Sequence, residues 1–433
     1  MSKNLYLFAG VAALYLLTGL FLTSWNQTLL ILNFALVSSI MALGVNMQWG
    51  YAGLFNTGVM GFAALGGLAV VLVNVPPVHE AWRIGGLGIF GGLAIGAATI
   101  ALTILVRGRM AKGRARGLAT AALLIGGFLL FRWIYDPAVT AVEAINPSVT
   151  GNIGGLGLPI LLAWPAGGLL AAAAAWGIGK TALGLRSDYL AIATLGIAEI
   201  VVAVMKNEDW LARGVKMMNL QERPWPVPFE VELQRSPHFL DLAASWGFDP
   251  VSASSVVVKL TYMMMILVVL GFVIWLSERA LKSPWGRMMR AIRDNEDAAR
   301  AMGKDVTRRH LQIFILGSAV IGIAGAILTS MDGILNPGTY QPLRFTFLIW
   351  VMVIVGGSGN NWGALLGGLL IGWLWLIVEA LGPMVMGAIT AGMAPGPLKA
   401  HLIDSAQHMR LLTMGALLLL VLRFSPRGLL PEK

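Results

Sequence analysis

Side chains able to do covalent or acid–base chemistry are sparse in this chain of 433 residues, and where they are dense they are cations and carboxylates rather than nucleophiles. There is no cysteine, which removes disulfides, thiolate metal sites and thiol nucleophiles. The five histidines, His79, His238, His310, His401 and His408, show no metal-ligand spacing, and no nucleophile–base pairing is visible. The dense cluster is residues 277–310, with nine Lys/Arg and five Asp/Glu between apolar runs at 260–276 and 311–330. Such a segment does not lie in hydrocarbon, so it reads as an aqueous loop between two membrane passes. The bland alternative for any charge run is a solvated connector.

The loop carries a helix with both ends marked. Asp294 or Asn295 caps its start, Glu296 and Asp297 sit in the first turn where the helix dipole favours carboxylates, Arg300 falls in the last turn, and Gly303 supplies a left-handed stop. Ile292, Asn295, Ala299 and Met302 fall at helical spacing, which predicts one face that docks into a groove on a partner. A second chemical feature is Glu199, in the middle of an apolar run at 189–205. An ionisable group at membrane depth is a functional candidate by default, with a structural carboxyl pinning helices together as the alternative. Third are two segments where glycine mixes with Asn, Thr and Ser: residues 50–58 (GYAGLFNTG) and 356–363 (GGSGNNWG). They suit broken helices whose freed backbone groups line a cavity, or, for the second, plain helix turns.

The elements that must position these groups are membrane helices. The chain is 57% hydrophobic and 12% charged, half the charge usual in soluble domains, and residues 4–79 contain no Asp, Glu, Lys or Arg. Apolar stretches at 5–22, 29–45, 50–73, 84–106, 118–135, 158–178, 189–205, 256–276, 311–330, 347–355, 362–378 and 411–422 predict an all-α, polytopic bundle of about 10–12 segments, some of them broken. The stretch 347–355 is too short to span alone. The first span is read as a retained helix rather than a cleaved signal.

The net charge of +10 does not point to nucleic acid, because the cations lie in discrete blocks: Arg107, Arg109, Lys112, Arg114 and Arg116; the loop 277–310; and Arg423, Arg427 and Lys433. Residues 206–255 hold five basic and seven acidic groups, so the asymmetry places the basic blocks and both termini inside and 206–255 outside. Pro224, Pro226, Pro228, Pro237 and Pro250 break that outer stretch, and Trp210, Trp225 and Trp246 are candidates for the membrane interface; it is a cap over a mouth or a long connector.

Two nucleotide-like patterns fail on context. Gly86, Gly88 and Gly91 match G-x-G-x-x-G inside an apolar run, and residues 177–181 (GIGKT) end an alanine-rich helix. Gly88/Gly92/Gly96, Gly363/Gly367 and Gly368/Gly372, four apart, read instead as close helix crossings.

Residues 283–303 (SPWGRMMRAIRDNEDAARAMG) resemble the coupling loop of LivM-type permeases of the branched-chain amino-acid ABC importers, and Glu296, Ala298, Ala299 and Gly303 echo the looser E-A-A-x-x-x-G pattern of ABC importer membrane subunits, with one extra residue after Glu. Residues 187–200 (SDYLAIATLGIAEI), 410–415 and 423–431 (RFSPRGLLP) are similar to the same family. The resemblance covers most of 40–75 and 180–433. It departs from the family at Val202, where an Arg is expected, and in lacking a Thr-Gly-Gly-x-x-Gly after that span; Thr150 to Gly155 looks similar but precedes it.

The resemblance implies a single permease domain over 1–433, with 206–255 external and 277–310 a cytoplasmic coupling loop. It implies a non-enzymatic transport subunit of the bacterial cytoplasmic (inner) membrane, with no cofactor of its own and ATP hydrolysed on other chains. The implied partners are a second permease subunit, two cytoplasmic ATP-binding subunits, an external solute-binding protein and the lipid bilayer, with no nucleic acid. Its solute is a branched-chain amino acid, or urea or another small amide or amino acid; an ion-coupled secondary transporter is the reading from another class. The coupling residues it implies are Arg290, Ile292, Arg293, Asn295, Glu296, Ala298, Ala299, Met302 and Gly303. The candidate solute path comprises Gly53, Asn56, Thr57, Asp188, Tyr189, Thr194, Glu199, Ser358 and Asn360.

Overall fold

The computed structural model describes residues 3–145, 151–245, 247–394 and 396–432. Thr150, Trp246 and Lys433, singled out above, lie outside them. Helices account for nearly all regular structure, as the hydropathy pattern predicts. The principal ones are α1 (Lys3–Leu17), α2 (Trp25–Ala52), α3 (Val59–Asn74), α4 (Leu87–Arg109), α5 (Arg114–Glu143), α6 (Ala163–Ala182), α7 (Ser187–Asn207), α8 (Pro250–Lys282), α9 (Pro284–Asp294), α10 (Glu296–Ala301), α11 (Val306–Asp332), α12 (Leu348–Gly356), α13 (Asn361–Ile389) and α14 (Met409–Phe424). Among the described residues nine helical stretches are long and apolar enough to cross a membrane, ten if Pro397–Asp404 and α14 count as one bent span. The shorter apolar helices Val59–Asn74 and Arg344–Gly356 bring the total into the range expected from hydropathy.

Helix boundaries follow local chemistry. Ser24 caps α2 by accepting from the Gln27 N–H, and Asp249 caps α8 with Pro250 at the first helical position. Asp305 caps α11, which stops at Gly333 in the left-handed region. The 33 residues of α8 rise about 50 Å at 1.5 Å each. That separates two ends of the bundle: a loop end carrying 277–310, and an opposite end carrying 206–249.

The core is built around α2, whose apolar stretch is 89% buried, so it is covered on all sides by α8, α9, α11, α12 and α13. Such close approach needs small residues. A Cβ added at Gly317 would stand 2.6 Å from the Gly44 carbonyl oxygen, which sets the α2–α11 crossing. One added at Gly372 would stand 2.8 Å from Ala35, and one at Gly92 2.9 Å from Tyr135, so the glycine spacings noted above are helix crossings.

Two features depart from the sequence reading. Trp210 is not interfacial: it is 5% exposed, and its Nε1 donates to Tyr135 Oη at 2.8 Å and Glu208 Oε2 at 2.6 Å. The opposite-end segment is also tied down by a two-stranded antiparallel pair, β1 (Met218–Asn219) with β2 (Ile334–Leu335). The hairpin α4–α5 stands at the periphery, mostly exposed along both helices. Its bond to the bundle is a small cluster of Ala81, Ile89, Tyr135, Val142, Ile153 and Trp210, at the end away from its tip.

Candidate functional site: a polar seam and the loop that grips it

The α2–α3 break begins at Gly53, held at φ +70°, a conformation L side chains resist. The five residues after it, 54–58, are not helical, so their backbone groups need partners. Side chains of α7 and of the helical stretch Arg344–Gly356, with Asn56 itself, supply them. Asn56 Nδ2 donates to Gln48 Oε1 at 2.7 Å, and Asn56 Oδ1 accepts from the Gly58 N–H at 2.8 Å. Trp350 Nε1 donates to the Asn56 carbonyl at 2.9 Å. Thr57 Oγ1 donates to the Ala191 carbonyl, the Thr57 N–H donates to Thr194 Oγ1 at 3.1 Å, and Thr346 Oγ1 donates to the Thr57 carbonyl at 3.1 Å. Gln48 Nε2 donates onward to Phe314 O at 2.9 Å and Ser318 Oγ at 3.0 Å.

Toward the loop end the seam continues. Asn46 Nδ2 donates to Asn361 Oδ1 at 3.3 Å, Asn361 Nδ2 to Glu278 Oε1 at 3.0 Å, and the Gly359 N–H to Asn46 Oδ1 at 2.8 Å. Tyr51 Oη donates to Asn361 Oδ1. The two glycine-rich breaks therefore meet. The space between Gly58, Gly61, Thr194 and Ala198 is about 10 Å³, at the threshold for one water. With its polar groups satisfied by one another, the seam is closed in this structure.

Of the nine path candidates, the structure brings Gly53, Asn56, Thr57 and Thr194 together. Asn360 is the cap of α13, accepting from the Trp362 N–H at 3.0 Å, and Ser358 beside it is exposed at the loop end. Asp188 and Tyr189 are exposed at the start of α7. Glu199, also placed among the path candidates, does not join them: α7 buries Leu190, Ala191, Thr194, Ala198 and Val202, and Glu199 projects from the exposed side. Sequence reasoning missed Asn46, Gln48, Thr346, Trp350 and Asn361. The signal was present for Asn46 and Gln48, amides inside an otherwise apolar run.

The loop 277–310 folds as two helices, not one. Asn295, φ −156°, ends α9 and caps α10, its Oδ1 accepting from the Ala298 N–H at 3.0 Å. Glu296 and Arg300 pair at 2.5 Å across one turn, and Gly303 takes φ +76°. The expected common face of Ile292, Asn295, Ala299 and Met302 does not exist. Ile292 belongs to α9, whose apolar side (Gly286, Met289, Ile292) is buried in the chain's own core. Ala299 is half-buried against that core, and Met302 is 79% exposed.

Arg293 is the junction. Its guanidinium donates to the Gly50 carbonyl at the end of α2 and to Glu432 Oε2 at 2.7 Å, and pairs with Asp294 at 3.1 Å. Arg290 lies 3.9 Å from the same Glu432. Burial works against the charge on Arg293, but Glu432 and Asp294 outweigh it and raise its pKa above the ordinary arginine value, so the clamp stays charged. No group of three or more His, Asp or Glu that could hold a metal occurs among the described residues.

The family described as "Branched-chain amino acid transport system / permease component" matches residues 112–422. The high-affinity branched-chain amino acid permease LivM of Escherichia coli K12 is 28% identical over 299 residues, 67% of this chain and 61% of that protein, so the match spans about three-fifths of that relative's length. A probable LivM of Methanocaldococcus jannaschii is 26% identical over 396 residues, 91% of this chain and 90% of the relative. The ribose import permease RbsC of Bacillus subtilis is 37% identical over 114 residues, 25% of this chain and 35% of the relative. No solved structure matches.

Proposed function

Since the chain belongs to the family of branched-chain amino acid transport system permease components, we propose that it is the membrane-spanning permease subunit of an ATP-binding-cassette importer carrying branched-chain amino acids across the bacterial cytoplasmic membrane. The loop end is cytoplasmic and 206–255 external, a placement supported by the confinement of the basic blocks to one side of the bundle. ATP is hydrolysed on two separate cytoplasmic subunits. A second permease subunit and an external solute-binding protein complete the assembly.

The observation that carries this reading is α10: a short helix capped at both ends, projecting Met302 into water and joined through Arg293 to the end of α2 and to the C-terminal tail. A push on such a helix reaches the polar seam through Gly50 and Gly53, and the seam is where bonds must exchange for a solute to pass. Glu199, exposed on α7 at membrane depth, needs cover that this chain does not provide, which supports a second subunit on that side.

The test is reconstitution. The tagged chain should co-purify with an ATPase and support ATP-dependent uptake of labelled leucine into proteoliposomes supplied with the binding protein. A chain that transports with no ATPase present overturns the reading.

A further inference from the structure

The basic blocks at the loop end differ in what neutralises them. In 277–310 the chain supplies its own carboxylates: Lys282 pairs with Glu278, Arg293 with Glu432 and Arg300 with Glu296. The tip of the α4–α5 hairpin has none. Arg107, Arg109, Lys112, Arg114 and Arg116 fall in a stretch without a single Asp or Glu. None of the five forms an ion pair among the described residues, and all but Arg116 are exposed. Asp136 is the first acid along α5, about 30 Å from Arg116 at 1.5 Å per residue, which is several Debye lengths away. Arg114 and Arg116 also open α5, where the helix dipole opposes their charge. Arg116 Nη1 donates to the Arg107 carbonyl at 3.4 Å, so the two helix ends meet and the cations form one patch.

The surface beside the tip decides which anion surrounds it. The apolar stretch of α4 is 17% buried and that of α5 is 0% buried. Ile100 and Ile104 on α4 and Leu118 on α5, all close to the cations, are 60%, 66% and 72% exposed. Such side chains belong in hydrocarbon. The 23 residues of α4 rise about 35 Å, enough to cross roughly 30 Å of hydrocarbon and bring the tip out at the headgroups. The cluster that joins the hairpin to the bundle is at its other end. Lipid tails therefore flank both helices just below the cations, and the headgroups of those same lipids stand at the height of the patch.

We propose that the hairpin tip is a binding surface for anionic phospholipid, whose headgroups supply the negative charge the chain omits and hold the free end of the hairpin at the leaflet surface. A zwitterionic headgroup carries an ammonium beside its phosphate and offers no net attraction. Each Lys or Arg in such a cluster raises the preference for anionic lipid about five-fold. The surface is independent of the solute carried.

The test places a fluorophore on a lone Cys at Gly108, where an added side chain meets nothing within 4 Å and no other cysteine competes. The full chain is reconstituted in phosphatidylcholine vesicles containing graded amounts of spin-labelled phosphatidylglycerol or spin-labelled phosphatidylcholine. Half-maximal quenching at Gly108 should need at least about five-fold less of the anionic lipid. A reporter at Leu87, exposed at the other end of α4, should not distinguish the two lipids. High salt, or the triple variant Arg109→Gln, Lys112→Gln, Arg114→Gln, should bring the lipids within about two-fold of each other at Gly108. The Leu87 reporter should stay unchanged in that variant, showing that the hairpin is still inserted. Equal quenching by both lipids in the wild type, or a preference that survives the triple variant, overturns the proposal. Loss of the preference to inorganic phosphate at matched ionic strength would make the tip a site for soluble phosphate, and loss to an added ATPase subunit would make it a protein-docking face; either result also overturns it.

Discussion

Replacing Arg293 by Ala removes the clamp between loop, core and tail. The Arg293–Glu432 pair is about three-quarters buried on each side, with side-chain exposures of 25% and 28%, so it is not discounted as a surface pair. A hydrogen bond to a charged group contributes about 1.5–3 kcal/mol. Asp294 is 67% exposed and adds little. Arg293→Ala should therefore release the tail by about 2–3 kcal/mol, or roughly thirty-fold or more in the fraction of time it is detached. Arg293→Lys keeps the charge but not the fork that reaches Gly50 and Glu432 together, and should lose about half of that free energy. The readout uses the absence of cysteine: a lone Cys at Leu430, which is 3% exposed, should react with a thiol reagent at least ten-fold faster in the Arg293→Ala background, where one decade corresponds to about 1.4 kcal/mol. In a double-mutant cycle, Arg293 with Glu432 should couple by about 1 kcal/mol or more, and Arg293 with Asp294 by nearly zero. In the reconstituted importer the same variant should hydrolyse ATP while uptake falls. Unchanged labelling at position 430, or uptake and hydrolysis falling together in proportion, would refute the idea that Arg293 carries the motion of the loop into the core.

Single cysteines at Lys112, Asn295 and Gln234 should report topology: an impermeant thiol reagent on intact cells should label only the third, and the reverse pattern would invert the assignment. Glu199 has no partner among the described residues; Glu199→Gln and Glu199→Leu should both accumulate at normal levels, and normal uptake by the Leu variant would remove the residue from the path. Gly303→Val should cost about 1–2 kcal/mol, from its left-handed backbone alone since a Cβ there meets nothing within 4 Å. Gly303→Asn should be nearly silent by thermal unfolding. Ala299→Trp, overpacking a half-buried site by about 1–3 kcal/mol, should displace α10 and abolish ATPase co-purification while the protein remains inserted.

The bundle was legible because hydrocarbon imposes a single demand, satisfied backbone behind an apolar surface, and the 4–79 run meets it without interruption. The ends of α10 were legible because caps are local chemistry: Asn295 and Gly303 act on neighbours within three or four residues. What lay between α9 and α10 was not. Helical spacing was carried across Asn295, but the amphipathic α9 turns Ile292 inward, and the cap itself breaks the phase between the helices. Glu199 was misplaced because a mid-membrane carboxylate must avoid lipid, yet that demand does not say whether this chain or another covers it. Glu432 left no trace at all. Its partner is 139 residues away, and only the tertiary fold brings them together.

The hairpin α4–α5 joins the bundle through the small cluster around Trp210, at the far end from its tip, and the turn at 110–113 between its helices is exposed throughout. Covalent continuity across that turn therefore contributes nothing to packing at the seam. The fragment ending before Lys112 contains α2 and α3, whose surfaces are complementary to α6, α11 and α13 of the remainder. Two separately translated pieces, 1–111 and 112–433, thus retain every interhelical contact that holds them together, and membrane helices associate after insertion rather than through the peptide bond between them. The turn is where this chain should tolerate a cut or a tag.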